Sequence, residues 1–190
     1  MTECITTNAA GTINPAPIGL FGFAFTTIML SLCNIGIFEM NTVIIGLAFL
    51  FGGLAQFLAG ILEWRGGNIF GMVVFSSFGM FWLVFALAAV LPAMGLGESA
   101  TPVAMGCYLV LWAIFTATVA LAATGKGIVL PVTLWLVCAV FICLAAADFT
   151  GLTSVKVFGG FLGVVAGACA YYIGTADLIN GIHGCKKLKL

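Results

Sequence analysis

Six runs of membrane length dominate this chain of 190 residues, and only short polar joints separate them. The runs lie near residues 18–37, 42–62, 69–92, 103–124, 128–147 and 157–178. Each is long enough to cross a hydrocarbon layer as a helix, which takes roughly 20 apolar residues. In lipid every backbone polar group must be satisfied within its own segment, so helices are the structure these runs can adopt. Charged residues make up 6% of the chain and apolar residues 63%, far from the quarter or so charged residues of a soluble domain. The expectation is an all-α integral membrane bundle of six helices, forming one domain over residues 1–190.

The joints carry the charges and the turn formers: FEMN around Glu39, EWRGGN at 63–68, PAMGLGESATP at 92–102, TGKG at 124–127 and DFTGLTSVK at 148–156. Short links imply that successive helices pack as antiparallel neighbours. An even number of spans puts both termini on one side. Arg65, Lys126, Lys186, Lys187 and Lys189 fall on that side and Lys156 on the other. By the positive-inside bias both ends are then cytoplasmic, with residues 1–13 a short polar segment and 181–190 a basic, solvated tail near the lipid. The N-terminal segment has no Lys or Arg, so the first span itself should direct insertion into the cell (plasma or inner) membrane.

One span is less apolar than its place requires. Asn14–Phe38 reads NPAPIGLFGFAFTTIMLSLCNIGIF. Asn14 can cap the helix, Pro15 suits its first position, and Pro17 still lies in the first turn, where no donor is lost. The free N–H groups at this helix start, Asn14–Gly19, are a possible dock for a carboxylate. Helical spacing then aligns Phe23, Thr27, Ser31 and Asn34. Two readings fit this row. The hydroxyls can bond back to their own helix while Asn34 joins two helices, or the row lines a narrow pore beside the first span. Gln56, amid the glycines Gly46, Gly53 and Gly60, and Ser77, within FSSFGMFW, are further polar candidates for such a path. Gly159, Gly163 and Gly167 form a second small-residue ridge. Either ridge can join helices within a subunit or between subunits.

The seven cysteines show no C-x-x-C spacing, which argues against a metal centre or a disulfide framework. The single histidine, His183, lies beyond the last expected span, so no catalytic triad can be assembled in the membrane. No cofactor, no metal, no nucleic-acid partner and no enzyme activity is expected. A small uncharged solute or a small monocarboxylate could pass a ring of phenyl groups; a multivalent anion would meet no fixed cation midway.

Asn14–Leu20, NPAPIGL, resembles the signature of the acetate/succinate transporter family, the YaaH-type acetate permeases. Residues 52–82, GGLAQFLAGILEWRGGNIFGMVVFSSFGMFW, and 108–116, YLVLWAIFT, resemble two further blocks of that family, and the likeness runs over nearly the whole chain. It implies a homo-hexamer in which each subunit passes acetate, and in some members succinate, passively or with protons. It makes Asn14, Pro15, Ala16, Pro17, Gly19 and Leu20 the entrance motif. It also implies a constriction at Phe23, at Phe78 in place of the family's Tyr, and at Val137 in place of its Leu, with Leu136 beside it. The alternatives are a pore for water, urea or ammonia, and a non-transporting membrane subunit that assembles a partner.

Overall fold

The structure, a computed structural model, describes residues 13–190; the segment 1–12, which includes Cys4, lies outside the described residues. Among the described residues there are six long helices: α1 (Ala16–Ile35), α2 (Thr42–Arg65), α3 (Ile69–Ala93), α4 (Pro102–Ala122), α5 (Val129–Thr150) and α6 (Thr153–His183). All six are long and apolar enough to cross a membrane. Their outward faces bear exposed Leu111, Ile114, Leu121, Phe158 and Phe161, a surface suited to lipid rather than water.

Polar caps set the helix starts. Asn41 Oδ1 accepts from the Val43 and Ile44 amides at 3.0 and 3.4 Å, Asn68 Oδ1 from Gly71 at 3.2 Å, and Thr101 Oγ1 from Ala104 at 3.2 Å ahead of Pro102. Each satisfies donors that a helix start leaves open. Gly36 (φ 93°) and Gly151 (φ 71°) close α1 and α5 in the left-handed conformation that glycine adopts without strain.

The wall runs α3–α2–α1–α6–α5–α4, with α1 packed most extensively on α6. Successive helices are therefore mostly neighbours, but α3 and α4 barely approach as backbones. Aromatic rings fill that gap: Phe81 stacks on Tyr108 at 5.6 Å and Phe78 on Trp112 at 5.9 Å, and the Tyr108 hydroxyl donates to Phe81 O at 3.1 Å. Rings of that size hold two helices together without bringing their axes close.

The glycine ridges act within the chain. A methyl group at Gly160 would lie 2.9 Å from Ser31 O, and one at Gly167 3.2 Å from Ala24 O, so α6 rests directly on the α1 backbone. On α2, Gly53 meets Leu83 and Gly60 meets Ser76 of α3, while Gly46 faces open space. Gly160→Ala is expected to lower stability by about 1–3 kcal/mol, because backbone atoms cannot yield as side chains do. Gly46→Ala should be neutral or slightly stabilising. Thermal unfolding of the two variants in detergent checks the contrast.

Two expectations are corrected. The last span begins at Thr153 rather than near 157 and continues to His183, so the DFTGLTSVK joint shrinks to Gly151 and Leu152. Asp148 to Thr150 stay helical, and Thr150 Oγ1 bonds back to Ala146 O at 2.6 Å. The tail is not simply solvated. Asn180 Oδ1 accepts from the Lys187 and Leu188 amides at 2.8 and 3.0 Å, Asn180 Nδ2 donates to Leu188 O at 2.8 Å, and the Tyr172 hydroxyl donates to Lys189 O at 2.7 Å. One carboxamide thus folds the tail back onto α6. A feature for which the sequence raised no expectation is that residues Leu50–Ala55 of α2 form a π-helical stretch. Here Gly52 packs on Thr26, Gly22 packs on Phe51 O, and Thr26 Oγ1 donates to Gly22 O at 2.8 Å and Leu47 O at 3.3 Å. Such widened turns are rare and often mark functional positions; this one immediately precedes Gln56.

Candidate functional site

Two cavities lie in line inside the bundle. One opens on the side of the termini and has a volume of about 200 Å³. The other opens on the far side and has about 190 Å³. Either exceeds the roughly 30 Å³ share of a water several-fold, enough for a small organic acid. Phe23 and Val137 are the residues that border both.

Between the cavities stands an aromatic wall. Phe23 (α1) and Phe78 (α3) are 5.6 Å apart between ring centroids and tilted by 57°. Phe78 is 2% exposed, braced by Trp112, by Phe115 at 5.7 Å and by Phe141 at 6.5 Å. Val137 of α5 borders the same two cavities as Phe23. Leu136 packs against the core and borders neither cavity.

Thr27, Ser31 and Asn34 line the far-side cavity together with Trp82, Asp148 and Lys156. Thr27 Oγ1 is buried and has no hydrogen-bond partner. It is Thr26, one residue away, that bonds back to the helix. The Trp82 indole N–H is likewise buried and unpartnered.

Gln56 lines the termini-side cavity with Ala16, Leu20, Phe78, Glu63, Asn68, Lys126 and Asp177. Gln56 Oε1 and Glu63 Oε1 are buried and unpartnered, while Glu63 Oε2 accepts from Asn68 Nδ2 at 2.8 Å. Asn68 thus caps α3 and positions the carboxylate. Ser77 borders neither cavity. Among the described residues no three His, Cys, Asp or Glu side chains gather to hold a metal ion.

The entrance motif is a helix start with two of its donors engaged. Asn14 Oδ1 accepts from the Ala16 amide at 3.0 Å, Pro17 has no N–H, and the Ile18 amide donates to Pro15 O at 3.2 Å. Of the amides expected to be free for a carboxylate at Asn14–Gly19, those of Ala16 and Ile18 are therefore engaged within the turn. Gly19 leaves room for the Phe75 ring, since a methyl group there would lie 2.7 Å from it.

Sequence reasoning passed over Glu63, Asn68, Lys126, Asp177 and Trp82 as site residues. Glu63 carried a usable signal: it is seven residues from Gln56, on the same helix face. Lys126 and Asp177 carried none, because only tertiary packing brings a loop and the end of α6 to that cavity.

Residues 3–184 match the model of the GPR1/FUN34/yaaH family. The succinate-acetate/proton symporter SatP of Escherichia coli strain K12 is 35% identical over 90% of this chain and 91% of its own length. Ammonia transport outward protein 2 of Saccharomyces cerevisiae is 40% identical over 87% of this chain and 61% of its own length. A solved structure of the bacterial acetate channel SatP superposes with a TM-score of 0.92 at 34% identity, covering 94% of this chain and 98% of that one.

Proposed function

The chain belongs to the GPR1/FUN34/yaaH family, and from that premise we propose that this multi-pass membrane protein passes acetate through the two cavities of each subunit. Succinate and other small carboxylates are the wider substrate class. The observation that carries the reading is the pair of cavities meeting at Phe23 and Val137 beside Phe78. A short apolar constriction between two partly polar chambers admits a solute small enough to shed its water briefly and holds back a bulky or multivalent one. In this reading both termini are cytoplasmic in the plasma or inner membrane, six copies associate through lipid-facing surfaces, and Thr27, Ser31, Asn34 and Gln56 guide the solute on either side of the ring.

Uptake of labelled acetate into proteoliposomes, with and without an imposed proton gradient, tests the reading. Protein-dependent uptake supports transport, and its acceleration by an inward proton gradient marks coupling. Uptake no faster than in protein-free vesicles would remove the proposal.

A neutral-solute pore is the second reading, favoured by the ammonia transport protein among the relatives. Methylammonium uptake in the same vesicles, with acetate uptake absent, would select it.

Phe78 offers a substrate test. Phe78→Tyr adds a hydroxyl at a fully buried position of the ring. The expected result is a rise in the succinate-to-acetate uptake ratio on the order of threefold, about what part of one hydrogen bond supplies. An unchanged ratio would take Phe78 out of substrate selection.

A further inference from the structure

We propose that the segment Lys186–Lys189, strapped against α6, is a docking surface for the phosphate-bearing headgroups of anionic phospholipid. The inference goes beyond the transport reading and does not depend on which solute the cavities carry.

The strap fixes where the lysines stand. Asn180 is 8% exposed and commits both ends of its carboxamide to the tail, accepting from the Lys187 and Leu188 amides and donating to Leu188 O. Tyr172, eight residues and roughly 12 Å earlier on α6, donates its hydroxyl to Lys189 O. Leu190 O lies against the α4–α5 link, where a methyl group on Gly127 would be 3.2 Å from it. Three tethers thus hold residues 187–190 on the bundle. Leu188 is half-buried among them, while Lys186, Lys187 and Lys189 are exposed.

The length of α6 sets their depth. Its 31 residues span about 46 Å at 1.5 Å per residue, whereas the hydrocarbon layer is roughly 30 Å thick. Lys156, in the first turn of α6, marks the far boundary, because a charged side chain belongs at the edge of the hydrocarbon. About 20 residues onward the near boundary falls close to Tyr172 and Asp177. Tyr172 is 40% exposed, and tyrosine is enriched at that level. Asn180 and the three lysines then stand in the headgroup layer. A lysine there gains about fivefold in attraction to an anionic leaflet.

The neighbouring charges leave this surface positive. Among the described residues the acidic side chains at this end, Glu63 and Asp177, line the cavity inside the bundle. Lys126 turns its Nζ over the Phe70 ring, 5.2 Å from the centroid, and so belongs to the cavity rather than to the lysine row.

Native mass spectrometry of the full-length protein in detergent, titrated with phosphatidylglycerol or phosphatidylcholine, tests the proposal. Phosphatidylglycerol is expected to bind at least about tenfold more tightly. Replacing Lys186, Lys187 and Lys189 together by glutamine should abolish that preference, at about fivefold per lysine, with an unchanged melting temperature. Replacing all three by arginine should keep it. Asn180→Ala retains every lysine but releases the tail, and should weaken phosphatidylglycerol binding about threefold through lost pre-organisation. Tyr172→Phe, which removes one tether at an exposed ring, should give a smaller loss in the same direction. Equal binding of the two lipids, or wild-type binding by the triple glutamine variant, would overturn the proposal. Unchanged binding in both Asn180→Ala and Tyr172→Phe would remove the strap from it and overturn it as stated. Displacement of phosphatidylglycerol by an equal concentration of inorganic phosphate would assign the surface to a free anion and overturn it as well.

Discussion

Replacing Phe23 by alanine is expected to join the two cavities and to raise the uptake of bulkier acids, such as butyrate, on the order of tenfold relative to acetate. Such a change corresponds to about 1.4 kcal/mol off the barrier at the ring. Phe23 borders both cavities, and its ring stands 5.6 Å from that of Phe78. Phe78 is held on its other sides by Trp112, Phe115 and Phe141, so it cannot swing across to refill the gap. The change also removes packing. Full truncation of a buried ring costs about 3–5 kcal/mol, and here the cost should fall toward the lower end, because one face of the ring already borders empty space. Phe23→Leu should give an intermediate selectivity with a smaller loss of stability. Uptake of labelled acetate and butyrate by wild type, Phe23→Leu and Phe23→Ala provides the measurement. A butyrate-to-acetate ratio that does not rise along the series would place the constriction elsewhere.

Why the first span announced this role, and other parts of the site did not, follows from what each signal depends on. The row Phe23, Thr27, Ser31, Asn34 is periodic within one helix, and hydroxyl groups are conspicuous in an apolar segment, so the local pattern pointed to a shared face. The structure places all four on one cavity. Ser77 had no such support. It lies one residue from Phe78, and adjacent helix positions differ by about 100° in direction, so a neighbour of a lining residue usually faces away. Leu136, next to Val137, fails for the same reason.

The span count came from length and apolarity alone, which composition fixes. The wall order did not, because it depends on which surfaces fit. The glycine ridge of α6 left open whether its partner lay inside or outside the subunit, and only the positions of Ser31 and Ala24 answer that. The π-helical stretch Leu50–Ala55 was hidden because Gly52 and Gly53 read equally well as a packing seam. The fold of the tail turns on Asn180, one amide whose partners are seven and eight residues away.

Val137→Phe is expected to have the opposite effect from Phe23→Ala, lowering acetate uptake by more than about tenfold. Val137 is 4% exposed and borders both cavities. A phenyl group there would take up space in the region where both cavities border Phe23. Overpacking should cost about 1–3 kcal/mol of stability, so a thermal melt must accompany the flux to show that the loss is a blockage. The two substitutions then test one another. If Phe23 and Val137 face each other across a single opening, Phe23→Ala makes room for the ring that Val137→Phe introduces. The double variant should recover most of the wild-type acetate uptake and part of the lost stability. Groups in contact depart from additivity by about 0.5–3 kcal/mol, whereas distant ones add. A double variant as inactive as Val137→Phe alone would mean that the two side chains do not share an opening, and the single-constriction account would fall with them.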